Sequence, residues 1–174
     1  VSYVSQDNFL FNTTLMENIR IGKPNATDEE VIEAAKKAQC MEFIKKFPEG
    51  FKTLAGDCGN QLSGGEKQRI TLARAILKNA PIIILDEATA FADTENEAKI
   101  EAAISEFVHN KTLIVIAHRL SSIINADQIC VLKAGEIIGY GVHEELLENN
   151  ECYRTLWEAH QKSQGWQLGK GGIL

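Results

Sequence analysis

Pro81-Ile82-Ile83-Ile84-Leu85-Asp86-Glu87 decides how the rest of this chain is organised. Four consecutive apolar residues running into two adjacent carboxylates read as a buried parallel β-strand with the acidic pair at its carboxyl end. Ligands of open α/β sheets gather at that end of the strands. In a site that hydrolyses a nucleotide, the first carboxylate would hold Mg²⁺, directly or through water. The second would polarise the attacking water. A core strand that merely ends in acid has the same composition, so the neighbouring residues must decide.

Leu62-Ser-Gly-Gly-Glu66 opens an amphipathic helix, expected over Lys67–Lys78, which stops shortly before Pro81. Two glycines at a helix start leave backbone N–H groups uncovered, and Ser63 adds a hydroxyl donor. Together they make an anion site aimed along a helix dipole. Ser-Gly-Gly alone means only a turn. Followed by Gln68-Arg69 and then by the Asp86-Glu87 strand, it becomes specific. At this point the chain resembles the nucleotide-binding domain of ATP-binding cassette (ABC) transporters. Leu62–Glu66 is similar to the family signature, and Ile82–Glu87 to its Walker B strand with the catalytic glutamate. The resemblance implies an α/β fold: a P-loop NTPase (RecA-like) ABC ATPase core, incomplete here, with a helical subdomain. It also implies ATP and Mg²⁺ as cofactors.

The 174 residues suffice for one compact domain with a real core, in one lobe or two. A formal charge of −6 and the lack of a basic run argue against nucleic acid as a partner. Cys40, Cys58, Cys130 and Cys152 show no CxxC spacing and no partner histidines, which reads as reduced, structural thiols. No signal peptide is expected from these residues, and no apolar run approaches the ~20 residues of a membrane span. Any membrane association must come from another domain or chain. The chain opens on Val1, not Met, and Val-Ser-Tyr-Val-Ser already reads as a strand. The expectation is a fragment that starts in the middle of a domain.

Ser2–Ser5 is a short β-like run ending at Gln6, a side chain that can reach a metal or its water. By resemblance Gln6 falls on the Q-loop, which senses the γ-phosphate. Phe9–Phe11 and Thr13–Ile19 are similar to the exporter branch, where this segment faces the coupling helices of the membrane domain. Thr27-Asp-Glu-Glu30 is a capping box. It starts a helix expected over Asp28–Gln39, with Val31, Ile32, Ala35 and Ala38 on one face. Met41–Phe47 reads as a second short helix, closed by Pro48-Glu49-Gly50. Thr53–Gly59 resembles the exporter x-loop, although Ala55 and Cys58 stand where charged residues are more usual; a plain turn between helices reads nearly as well. Residues 12–80 form the expected helical subdomain, residues 1–11 and 81–163 the core, and 164–174 a flexible tail.

Beyond the acidic strand, Ala90-Phe91-Ala92-Asp93 resembles the D-loop, with Asp93 kept and the usual serine missing. Thr94–Val108 is an expected helix with Ile100, Ala103, Ile104 and Phe107 as its inner stripe. Thr112–Ile116 reads as a second buried strand that ends at Ala117-His118-Arg119. A histidine there can donate to a phosphate oxygen, and His118 matches the family's switch histidine. Asp127–Lys133 and Glu136–Tyr140 make a hairpin, followed by helices over Val142–Asn149 and Glu151–Ser163. His143-Glu144-Glu145-Leu146 resembles the family's closing stretch and is not expected to do chemistry.

Carried over residue by residue, the resemblance makes Glu87 and His118 catalytic. It assigns Gln6, Ser63, Gly64, Gly65 and Asp93 to the nucleotide, and Asp86 and Gln6 to the metal. It implies a second nucleotide-binding domain as head-to-tail partner, a transmembrane domain, and a place on the cytoplasmic face of the membrane. One family element is absent from the sequence: GxxxxGK[ST], the loop that cradles the β- and γ-phosphates. Gly22-Lys23-Pro24 and Gly169-Lys170-Gly171 lack its glycine spacing and its hydroxyl. The chain alone is therefore expected to be inactive, with an exposed strand edge in its sheet. Two rivals remain. An ABC ATPase of the chromosome or DNA-repair type would need a long coiled coil between Gln6 and Leu62, where only a compact helical lobe fits. A non-catalytic regulatory or interaction module would not require both Glu87 and His118.

Overall fold

The computed structural model describes residues 1–167 except 6, 87–99, 101–102, 106 and 118–119, with side chains described up to residue 162. The chain forms two compact units, Val1–Ile116 and Ala117–Leu174.

In the first unit, β1 (Ser2–Val4), β2 (Ile82–Asp86) and β3 (Thr112–Ile116) form a parallel sheet in the order β1-β2-β3. Register is continuous, with Val4 beside Leu85 and Leu85 beside Val115. Parallel neighbours need long crossovers, and the β1-to-β2 crossover here is a whole helical lobe. The strand that opened the reading is thus the middle of the sheet. It is not buried throughout. Ile83 and Leu85 are buried, while Ile84 is half-buried and Ile82 exposed. β3 departs further from expectation: Ile114, Val115 and Ile116 are all exposed, and only Leu113 packs inward. Among the described residues β3 pairs on one side alone, so composition that suits a central strand sits on an edge.

The lobe comprises α1 (Leu15–Arg20), α2 (Asp28–Lys37), α3 (Met41–Ile44) and α4 (Gly64–Lys78). The capping box of α2 forms as read: Glu30 N–H donates to Thr27 Oγ1 at 3.3 Å and Thr27 N–H to Glu30 Oε2 at 2.9 Å. Its buried face carries Val31, Ala34 and Ala35, with Ala34 in the place expected of Ile32. α2 stops two residues short of Gln39, which turns out of the helix at φ 58°. α3 is likewise shorter than Met41–Phe47; Cys40 at its start provides no side-chain cap.

α4 begins at Gly64, three residues before the expected Lys67, because Ser63 caps it directly. It is also not an ordinary amphipathic helix. Gln68, Arg69, Ile70, Leu72, Ala73 and Ile76, among others, are buried, so most of its circumference is covered. A helix enclosed this way is the core of its unit, and α4 packs against α1, α2 and β1. Asn79 ends it in the left-handed region at φ 49°. The Arg69 guanidinium sits 5.1 Å from the centre of the Phe43 ring, a cation–π contact that helps hold a buried charge.

In the second unit, β4 (Ile129–Lys133) and β5 (Glu136–Gly141) form the expected hairpin. Its two-residue turn has Ala134 at φ 52° and Gly135 at φ 84°, the doubly left-handed geometry that matches strand twist. The helices His143–Asn149 and Glu151–Gln167 follow. Tyr153 is buried against Ile129, Val131 and Leu146, and its hydroxyl lies 2.8 Å from His143 Nδ1. A histidine so enclosed is structural, as the sequence reading held.

Candidate nucleotide site

Asp86 is the last residue of β2, which places a carboxylate at the carboxyl end of the middle strand. Its Oδ2 accepts a hydrogen bond from the Tyr3 hydroxyl at 2.7 Å, reaching across from β1. The bond to Asp86 raises the Tyr3 pKa, because the neighbouring carboxylate favours the protonated phenol. One Asp86 oxygen is thereby oriented. Tyr3 carried no role in the sequence reading. Strand pairing alone puts it next to the β2 end, since Tyr3 lies in register with Ile84.

Ser63, exposed, caps α4. Its Oγ accepts from Glu66 N–H at 3.4 Å and donates to Glu66 Oε2 at 2.9 Å, while Ser63 N–H donates to the same oxygen at 2.8 Å. The expected free hydroxyl donor is therefore engaged by Glu66. The signal was legible, because Ser63-x-x-Glu66 is capping-box spacing. The amides of Gly64 and Gly65, in the first turn of a helix, have no intrahelical acceptor, and Gly64 is exposed. Gly65, by contrast, is buried.

Glu87, His118, Gln6 and Asp93 lie outside the described residues. Two clefts among the described residues include neither Asp86 nor Ser63. One, of about 350 Å³, borders Tyr3 and Arg74; the other, of about 470 Å³, lies by Lys37 and Lys111. Of the described candidates, Ser63 and Gly64 are exposed, Asp86 is half-buried and Gly65 is buried.

The donor chemistry fits magnesium and nucleotide. Among the described residues no group of three or more His, Cys, Asp or Glu could hold a metal ion. Mg²⁺ is commonly bound through one or two carboxylates plus phosphate oxygens and water, which a single oriented Asp86 can serve. No described helix is long and apolar enough to cross a membrane.

Comparison with known proteins gives the family and the fold. A family model described as "ABC transporter" matches residues 1–90. The "ATP-dependent lipid A-core flippase" of Methylobacillus flagellatus is 53% identical over 157 residues, covering 90% of this chain and 27% of that protein. "ATP-binding cassette sub-family B member 6" of Xenopus tropicalis is 50% identical over 161 residues, covering 92% of this chain and 19% of that protein. A solved structure of a bacterial Atm1-family ABC exporter with ATP bound superposes with a TM-score of 0.85 at 39% identity, over 99% of this chain and 29% of that one. The chain thus spans about a quarter or less of the curated relatives it matches.

Proposed function

The chain belongs to the ABC transporter family, and on that premise we propose that it is the signature and Walker B part of an exporter-type ATP-binding domain. The parent protein couples ATP hydrolysis to solute movement across a membrane, with this chain on the cytoplasmic face. One observation carries the reading: Asp86 ends the middle strand of a parallel sheet with one carboxylate oxygen fixed by Tyr3.

In this reading Asp86 and Gln6 hold Mg²⁺ beside the nucleotide. When bound, the ion supplies charge neutralisation across the phosphates. Glu87 accepts a hydrogen bond from the attacking water and draws its proton, and His118 donates to the γ-phosphate side of the site. Gly64 and Gly65 offer first-turn amides at the positive end of the α4 dipole, with Ser63 holding that turn through Glu66. These three, with Asp93, serve ATP across an interface with a second nucleotide-binding domain arranged head to tail. The exposure of Ser63 and Gly64 supports that assignment. The lobe of residues 12–80 meets the transmembrane domain beside Phe9 and Phe11, whose side chains are exposed. The GxxxxGK[ST] cradle is absent from this sequence, so the chain by itself turns over no ATP.

The test is Glu87→Gln in the full-length protein. The amide keeps the shape and removes the charge that draws the proton. Nucleotide binding should persist, measured by equilibrium dialysis, while phosphate release stops. Undiminished phosphate release would remove Glu87 from the reaction and with it this reading of the site.

A further inference from the structure

Arg74, eleven positions after the cap of α4, donates three hydrogen bonds to the stretch that follows β1. Nε donates to Asn18 O at 2.6 Å, Nη2 to Asn18 Oδ1 at 2.7 Å and Nη1 to Phe9 O at 2.8 Å. Asn18 is fully buried and extends the network. Its Oδ1 also accepts from Phe11 N–H at 2.9 Å, and its Nδ2 donates to the carbonyls of Phe11 and Thr14 at 3.0 Å each and of Thr13 at 3.3 Å. Burial pulls the Arg74 pKa down to about 10, still far above neutral, so all its donors stay in place.

The contact is closed from the other end of α1 as well. A Cβ on Gly22 would stand 2.2 Å from the Arg74 carbonyl oxygen, so only glycine lets the two backbones meet there. The outer side of the same stretch is an aromatic pair. Phe9 and Phe11 pack edge to face with ring centres 5.0 Å apart, each about half exposed. Their backbone is thus fastened to α4 while their rings face outward.

A lysine could not make this fastening. Three acceptors on two separate residues suit the fixed fork of a guanidinium, whereas an ammonium is a single point charge. Sequence separation explains why nothing in the pattern announced it: Arg74 lies 56 positions from Asn18 and 65 from Phe9.

We propose that Arg74 is a positioning residue that makes the Phe9–Asn18 stretch and α4 move as one body. A displacement at the Phe9–Phe11 pair is then delivered to Ser63–Gly65, about 16 Å along the helix axis, with no slack in between. The functional half of this statement rests on the reading above, that Ser63–Gly65 serves a nucleotide; the mechanical half does not.

The experiment uses the full-length protein, with spin labels on cysteines introduced at Phe11 and Lys67 in a background free of other exposed cysteines. Arginine at position 74 should give one narrow distance distribution, unchanged by magnesium and ATP. Arg74→Lys keeps the charge and should at least double its width. The same variant should lower kcat for ATP at least tenfold and leave KM within twofold, because the residue touches no nucleotide. An unchanged width in Arg74→Lys would overturn the mechanical link. A doubled width with wild-type kcat would overturn its role in turnover and leave a structural bond only. A parent protein without magnesium-dependent turnover would overturn the nucleotide reading, and the distance widths would still decide whether Arg74 fastens the two segments.

Discussion

Ser63 concentrates the chemistry of this chain at the scale of one residue, because two demands meet on its hydroxyl. As a helix cap it is already committed, accepting from one Glu66 group and donating to another. As part of a nucleotide site it needs only to hold Gly64 and Gly65 in place, since their amides carry the donors. The two demands are compatible, and they separate under substitution. Ser63→Arg removes a cap worth ~0.5–2 kcal/mol and leaves the Ser63 N–H bond to Glu66 available to the new residue. Its side chain points into solvent, so the domain should still fold. In the full-length protein hydrolysis should nevertheless fall at least about 100-fold, or ~2.7 kcal/mol in the barrier, as a bulky cation blocks closure onto the partner domain. In a heterodimer mutated in one half, photoreactive nucleotide should fail to be trapped at the partner's site and still be trapped at the site containing Glu87. The opposite pattern would mean that Ser63 acts within its own domain. Cys40 is a second case where environment fixes behaviour. Burial pushes its thiol well above the usual range, so alkylation near pH 8 should modify exposed Cys58 and Cys130 and spare Cys40. Labelling of Cys40 at the rate of Cys58 in folded protein would contradict its enclosure.

At the scale of single elements, what the sequence makes legible is what depends on near neighbours. The α2 cap was readable because Thr27 and Glu30 satisfy each other across three positions. β2 was readable as a strand, because four apolar residues bounded by Pro81 and two acids match a short sheet segment. The start of α4 was misplaced since glycines suggest a turn, whereas here Ser63 and Glu66 hold Gly64 and Gly65 inside the helix. Ile32 was expected inward and Ala34 was found there, because Val31, Ala34, Ala35 and Ala38 fall at the i, i+3, i+4, i+7 spacing of one helix face and Ile32 does not. Tyr3 against Asp86, and Arg74 against Asn18, required the fold itself. The α2 cap also makes a pH-dependent prediction. Lys23, and then the Thr27 N–H, hold the Glu30 carboxyl below the usual carboxylate range. A lowered folded pKa contributes stability that is present above the unfolded value and is lost as pH falls through the folded one. At pH 7 the chain should therefore melt above Glu30→Gln by roughly 2–4 °C, the size of one weakened cap in a domain this long. As pH drops below the ordinary carboxyl value of 4.5, the two melting curves should converge. A gap of the same size at pH 3 would show that the charge on Glu30 contributes nothing.

Whole-molecule behaviour turns on β3. Its sequence, Thr-Leu-Ile-Val-Ile, suits the interior of a sheet, and periodicity alone assigned it there. Burial, however, depends on which strands and helices stand alongside. Among the described residues β3 has β2 on one side only, and Ile114, Val115 and Ile116 are 47%, 41% and 46% exposed. An unpaired row of N–H and C=O groups beside three exposed β-branched side chains is a template for pairing with another chain. The strand lacks the devices that usually blunt an edge: it carries no charge and no proline over Thr112–Ile116. The 174-residue chain, prepared alone, should therefore self-associate at micromolar concentration, seen by light scattering as a weight-average mass above the 19.2 kDa of one chain. Ile114→Lys should reverse this, because a lysine on the edge disfavours a second strand while the buried Ile83 and Leu85 of β2 are untouched. Ile83→Lys serves as the contrast, placing a charge at a fully buried position and destroying the sheet. If the wild-type chain is monodisperse at 19.2 kDa, or if Ile114→Lys scatters as strongly as the wild type, then β3 is not the adhesive edge.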